Sequence, residues 1–217
     1  SADAGGEDRG AVHIMFVNTN GSVDSTVKIN SNTANGPDLL NGDFFGFSVA
    51  KMGDRDDWDG EDGIVLAVGA PRNGASDIGA VHIMFVNTNG SVDSTIEINY
   101  SSHPGNGPTL VSGDFFGDSL ANIGDLDGDG VEDLAVGATR DDAGGTNRGA
   151  VHIMFMNANG TPKSTVKIDD STANGPDLGD RDYFGRSIAN MGDRDGWDGE
   201  DGIVLAVGAT RDNAGQG

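Results

Sequence analysis

A unit of about seventy residues occurs three times, and this self-similarity constrains the fold more than any other feature of the chain. The block GAVHIMFVNTNGSVDST starts at Gly10, recurs from Gly79, and returns from Gly149 as GAVHIMFMNANGTPKST. A second block, GDFFGFSVAKMGD, starts at Gly42. It recurs as GDFFGDSLANIGD from Gly113 and as RDYFGRSIANMGD from Arg181. A third, LAVGA, starts at Leu66, Leu134 and Leu205. The three copies occupy almost all of the 217 residues.

Each unit reads as four short strands, here A to D. The A strand, FGFSVAKMG from Phe45, alternates small and apolar residues and runs into an Asp-rich turn. The B strand, IVLAVGA from Ile64, is a continuous apolar run, as expected of a strand covered on both faces. AVHIMFV from Ala11 is the C strand. STVKIN from Ser25 is the D strand, with Val27 and Ile29 alternating against Lys28. C and D are joined at Asn20-Gly21, Asn89-Gly90 and Asn159-Gly160, a dipeptide that tolerates the positive φ of a tight hairpin. Helical periodicity is absent. Four antiparallel strands in a repeat of this length describe a β-propeller blade, so the fold class is all-β, a β-propeller of four-stranded antiparallel blades.

The order of the blocks matters as much as their number. The chain enters at a C strand and leaves after a B strand. It therefore reads as one propeller module over 1–217 with three blade-equivalents: a C–D half-blade (10–30), full blades (42–99 and 113–169), and an A–B half-blade (181–210). Half-blades leave unpaired strand edges, and propellers need at least four blades to close. Two copies supply six blade-equivalents, so a second copy of the same chain is the expected partner in a six-bladed ring. Phe45, Phe116 and Phe184 are expected to be buried at the start of the inner strands, and Val68, Val136 and Val207 in the second strands.

Composition narrows the function. The chain has 35 acidic residues, 30 of them Asp, against 13 basic ones, and a net charge of −22. Such a surface repels phosphate backbones, which argues against nucleic acid. The absence of cysteine excludes disulfides, thiolate metal sites and a cysteine nucleophile. No apolar run reaches 18 residues, so no membrane insertion is expected, and the opening SADAGGEDRG does not read as a signal peptide. The preference for Asp over Glu suits short chelating loops, in which the carboxylate stays close to the backbone.

The clearest such loop is D-L-D-G-D-G-V-E-D at 125–133. Asp125, Asp127, Asp129 and Asp133 stand at positions 1, 3, 5 and 9, with the Val131 carbonyl as a further donor. Hard oxygen donors in a flexible loop favour Ca²⁺. The loop begins like an EF-hand, but position 12 is Val136 and a strand follows rather than a helix, so that reading fails. The equivalent loops from Asp54 and Asp193 are three residues longer and each holds a Trp. Asp54 and Asp56, or Asp193 and Asp195, open them. Asp59, Glu61 and Asp62, or Asp198, Glu200 and Asp201, are candidates to complete a site.

These motifs resemble the FG-GAP repeats of integrin α-subunit propellers and their bacterial relatives. The FG step is Phe116-Gly117, the GD step Gly124-Asp125, and the GAP step Gly137-Ala138-Thr139, with Gly69-Ala70-Pro71 the literal match. The resemblance implies a propeller in which calcium clips the A–B hairpin of each blade.

Function is therefore expected to be non-catalytic: a calcium-stabilised, extracellular or cell-surface module for adhesion or ligand binding, its partner an extracellular protein or a glycan. The alternative is a carbohydrate-binding propeller with Trp58 and Trp197 exposed for sugar stacking. A hydrolase is a third reading, but the acidic pairs are explained by chelation, and no Ser–His–Asp order, H-E-x-x-H or P-loop is present. His13, His82 and His152 share one position of the C strand and are expected to be structural, as are Met15, Met84 and Met154. His103 occurs in one repeat only.

Overall fold

The computed structural model describes residues 7–211 except Pro104 and Trp197, and Ala75 through its backbone alone. Among the described residues twelve strands are formed: β1 (Val12–Val17), β2 (Val23–Ile29), β3 (Ser48–Asp54), β4 (Gly63–Ala70), β5 (Ala80–Asn87), β6 (Val92–Ile98), β7 (Phe116–Gly124), β8 (Asp133–Ala138), β9 (Ala150–Met156), β10 (Pro162–Ile168), β11 (Phe184–Asp193) and β12 (Ile203–Ala209). They form two four-stranded antiparallel sheets, β3-β4-β5-β6 and β7-β8-β9-β10, flanked by the two-stranded sheets β1-β2 and β11-β12. This is the half, full, full, half arrangement of propeller blades. Among the described residues no helix is long and apolar enough to cross a membrane.

The Asn-Gly hairpins form as their chemistry requires. The Asn20 side-chain oxygen accepts the Ser22 N–H at 2.9 Å, and Gly21 takes a φ of +83°. Neighbouring blades are joined through their inner strands. Ser48 Oγ donates to the Gly117 carbonyl at 2.7 Å, and Ser119 Oγ to the Gly185 carbonyl at 2.6 Å. Asn122 Nδ2 reaches the Lys51 carbonyl at 2.9 Å. A glycine is required where these strands pass: a Cβ on Gly117 (φ +92°) would lie 2.5 Å from the Ala80 carbonyl oxygen.

Burial follows position in the row of blades. Phe45, Phe116 and Phe184 are buried, and so are Val68 and Val136. Val207, expected to be buried, is only half-buried: β12 belongs to a two-stranded half-blade, and among the described residues no C strand lies alongside it. The identical hexapeptide VHIMFV makes the same point in β1 and β5. Met84 is 0% exposed in β5, whereas Met15 is 57% exposed in β1. The packing role expected of the methionines holds for Met84 and Met154 and not for Met15.

The histidines do not converge. His82 packs edge-on against Phe45 and His152 against Phe116, with ring centroids 5.3 and 5.4 Å apart, while His13 is exposed. Among the described residues neither ring nitrogen of His82 or His152 has a hydrogen-bond partner. Burial accordingly pushes their pKa values down, to about 4 and about 3, and holds both rings neutral.

Candidate metal centre

The 125–133 loop joins β7 to β8 and is folded around its own carboxylates. Asp125 accepts three backbone N–H groups, from Gly128 at 2.8 Å, Asp129 at 3.0 Å and Gly130 at 2.8 Å. Gly128 and Gly130 adopt φ of +77° and +90°, which lets the chain curl tightly over the first aspartate. Asp133 starts β8 and is fully buried. It accepts the Leu126 and Met156 N–H groups, each at 2.9 Å, so it ties the loop to β9. Desolvation by burial pushes the Asp133 carboxyl up, with Asp127 and Asp129 adding like-charge repulsion.

One carboxylate oxygen from each of Asp125, Asp127 and Asp133 lies within 4.8 Å of the others. Among the described residues this is the only group of three or more His, Asp or Glu side chains so gathered. The donors are all hard oxygens, which fits Ca²⁺ and nothing softer. Asp129 is not in the group. One of its oxygens accepts the Val131 N–H at 2.9 Å, and the other faces Lys163 at 2.8 Å. Lys163, on β10, also reaches Asp127 at 2.6 Å, and these contacts raise its pKa and lower that of Asp129. Nothing in the loop's own pattern announced this lysine. The available signal was a reversal of charge, since Lys163 stands where the other repeats have Asp24 and Asp93.

The long loop after β3 is organised differently. Its acidic side chains Asp54, Asp56, Asp59, Glu61 and Asp62 are exposed and are not brought together. Asp54 pairs with Lys51 at 2.6 Å, and Asp59 pairs with Arg55 at 2.7 Å. Arg55 is buried at 4% exposure and uses three nitrogens, donating to Asp59, Asn87 and Asp93 at 2.7 Å each. Trp58 does not project for sugar stacking. It is buried edge-on against Phe85, 6.0 Å between centroids, and its Nε1 donates to the Met52 carbonyl at 3.2 Å. The reason is the short helical turn at Arg55–Asp57, which folds the loop back over the blade.

In the terminal half-blade the loop after β11 repeats the Arg–Asp pairing, Arg194 to Asp198 at 2.8 Å, on an exposed side chain. Asp193 accepts the Asp195 N–H at 2.9 Å, and Asp193, Asp195, Asp198, Glu200 and Asp201 are exposed and are not gathered. Trp197 lies outside the described residues. His103 belongs to a surface turn, its carbonyl accepting the Gly107 N–H at 2.9 Å.

Comparison with known proteins agrees with this architecture. The FG-GAP repeat family model matches residues 116–154, which run from the start of β7 through the acidic loop into β9. Integrin alpha-PS5 of Drosophila melanogaster is 30% identical over 171 residues, covering 77% of the chain and 15% of that protein. Integrin alpha-4 of Xenopus laevis is 31% identical over 170 residues (77% and 14%), and integrin alpha-6 of Gallus gallus 30% over 154 residues (70% and 12%). The chain thus spans about one-seventh of the length of the first two relatives. By this family match and these identities the chain belongs to the FG-GAP repeat β-propellers and is similar to integrin α subunits.

Proposed function

We propose that this chain is a non-catalytic, calcium-stabilised module for adhesion or ligand binding, working outside the cell or at its surface. The observation that carries this reading is the convergence of Asp125, Asp127 and Asp133 at the joint between β7 and β8. Bound there, Ca²⁺ would neutralise carboxylates that repel one another and hold the A–B hairpin shut. Asp133, tied to β9 through Met156, would pass that restraint into the blade. Calcium sites of extracellular modules are commonly weak enough to fill only at extracellular concentrations, which supports the location. Similarity to integrin α subunits supports the adhesive role.

Thermal melting with and without chelator tests the reading. A ligand that binds only the native chain stabilises it by mass action, so the melting temperature should fall when calcium is removed. An unchanged melting temperature would remove calcium from the account.

The exposed strand edges support a second element of the proposal, a partner copy of the same chain. Met15, Val17 and Val23 are all more than half exposed in the opening half-blade, although their equivalents Met84, Val86 and Val92 are buried. Pairing β12 of one copy with β1 of the other would cover those residues and form six blades. Light scattering should give about twice the 22.2 kDa chain mass in calcium, and a stable monomer would contradict the ring.

A further inference from the structure

Thirteen basic residues serve a chain of net charge −22, yet four of its arginines line one pocket of about 340 Å³. A repeated backbone device places three of them. In each unit an aspartate precedes an aromatic residue in the left-handed region: Phe44 (φ +58°), Phe115 (φ +58°) and Tyr183 (φ +56°). The carbonyls of Asp43, Asp114 and Asp182 accept the backbone N–H groups of Arg72, Arg140 and Arg211. Each guanidinium is thereby set over an aromatic ring: Arg72 4.6 Å from the Phe44 centroid, Arg140 4.1 Å from Phe115, and Arg211 5.4 Å from Tyr183.

The fourth arginine arises where the repeats diverge. Directly after the Phe-Gly step stand Phe47, Asp118 and Arg186, and all three meet in this pocket. Arg186 lies over Phe47 and donates to Asp118 at 2.7 Å, and Asp118 also accepts the Thr139 hydroxyl at 2.5 Å. Among the described residues Asp118 is the only carboxylate of the lining, and its charge is matched by Arg186. Arg72 and Arg140 are exposed and have no carboxylate at ion-pair distance among the described residues. Their faces rest on rings, which leaves the N–H edges to present a planar fork.

We propose that this pocket binds a single carboxylate, presented by a neutral or basic peptide segment and held by the forks of Arg72 and Arg140. A cation is disfavoured, because the chain's own guanidinium groups already cover the ring faces and repel it. An extended polyanion is disfavoured by the −22 surface, whereas one carboxylate entering the pocket meets mainly positive charge. The fork of a guanidinium matches a carboxylate in two parallel hydrogen bonds. The aromatic rings beside it offer apolar contact to the stem that carries the acid. The proposal rests on the ligand-binding reading and names the chemistry of one ligand group for it.

The test is an NMR titration of the full chain in calcium with three probes: a capped Gly-Glu-Gly peptide, its Gly-Gln-Gly counterpart, and inorganic phosphate. Saturable shifts at Arg72, Arg140 and Phe115 with the glutamyl peptide alone are expected. The paired substitution Arg72→Gln with Arg140→Gln should weaken binding by about tenfold or more. Arg72→Lys with Arg140→Lys retains the charge without the fork and should bind with intermediate strength. This lysine pair remains decisive if the glutamine pair fails to fold. Equal response to the glutamyl and glutaminyl peptides, response to phosphate alone, no response, or binding unchanged in the variants would overturn the proposal. The chelator melt involves no peptide, so the wider calcium-module reading stands or falls independently of this titration.

Discussion

In the blade at 42–99 the loop between the first two strands carries its own cation, whereas in the blade at 113–169 the equivalent loop is purely acidic. Arg55 follows Asp54 directly, turns inward, and joins Asp59, Asn87 and Asp93. Leu126 occupies the equivalent place after Asp125, and three carboxylates converge instead. The sign of the D strand changes to match: Asp93 faces the arginine, and Lys163 faces the aspartates. One hairpin is thus closed by a protein cation and a Trp plug, and its counterpart carries a site suited to a metal. The first needs a longer loop, because Trp58 and the turn at Arg55–Asp57 must fit over Phe85.

Removing the plug is expected to have the largest effect. Trp58→Ala empties a buried site and should cost about 3–5 kcal/mol, read by chemical denaturation. The loss should be the same with and without calcium. A loss under about 1 kcal/mol would mean that Arg55 alone closes the loop, which would break the contrast.

Acid tests what the two blades share beneath their loops. His82 and His152 are held neutral, with pKa values of about 4 and about 3 against 6.5 when unfolded. Between those values the unfolded chain binds protons that the native chain refuses. The stabilisation is therefore complete above pH 6.5 and drains as pH falls. At pH 5 the loss is about 2 kcal/mol for each ring. Asp114 acts in the opposite direction. Burial raises it to about 6, so its native carboxyl takes up a proton first and returns about 1 kcal/mol. Melting curves from pH 7 to 5 should fall less steeply in His82→Phe and in His152→Phe, and by similar amounts. A steeper fall in one blade would show that the loops reach into the core.

The contrast between the loops was only half legible in the sequence. The repeat, the strand order and the Asn-Gly turns determine the blades, because each is local chemistry repeated three times. Spacing alone marked Asp125, Asp127, Asp129 and Asp133 as candidate ligands, and the fold gathers three of them, while Asp129 turns to Lys163. The direction of Trp58 could not be read, since an Asp-rich loop reads as solvated and the covering partner, Phe85, lies on another strand. Nor could the role of Arg55, whose partners Asn87 and Asp93 lie more than thirty residues away. The half-buried state of Val207 has a related cause. LAVGA is the same sequence in all three units, and its burial depends on the strand beside it.

Calcium should act on one loop and not the other. With free calcium a hundredfold above the dissociation constant, stabilisation is about 2.7 kcal/mol. Asp133→Asn should abolish that increment. Asp54→Asn should leave it intact, because Asp54 makes only an exposed ion pair with Lys51. An equal loss of the calcium response in both variants would place a site in the long loop as well and erase the distinction.

The smallest expected effect concerns Lys163, which holds Asp127 and Asp129 at 2.6 and 2.8 Å. A protein cation on these carboxylates competes with a metal for the same negative charge. Replacing it with a neutral side chain of similar length, Lys163→Gln, should therefore tighten calcium binding. The site lies at the surface, where a unit charge acts through a water-like dielectric, so the gain should be modest, on the order of three- to tenfold. Lys163→Asp restores the residue type of the other two repeats and should tighten binding further. Isothermal titration in low salt gives the order, and raising the salt should compress the differences, because exposed charges are screened over about 10 Å at 0.1 M. Weaker binding in Lys163→Gln would mean that the lysine preorganises the aspartates instead of competing for them. The acidic loop would then resemble its longer counterpart, with a protein cation as part of the closure.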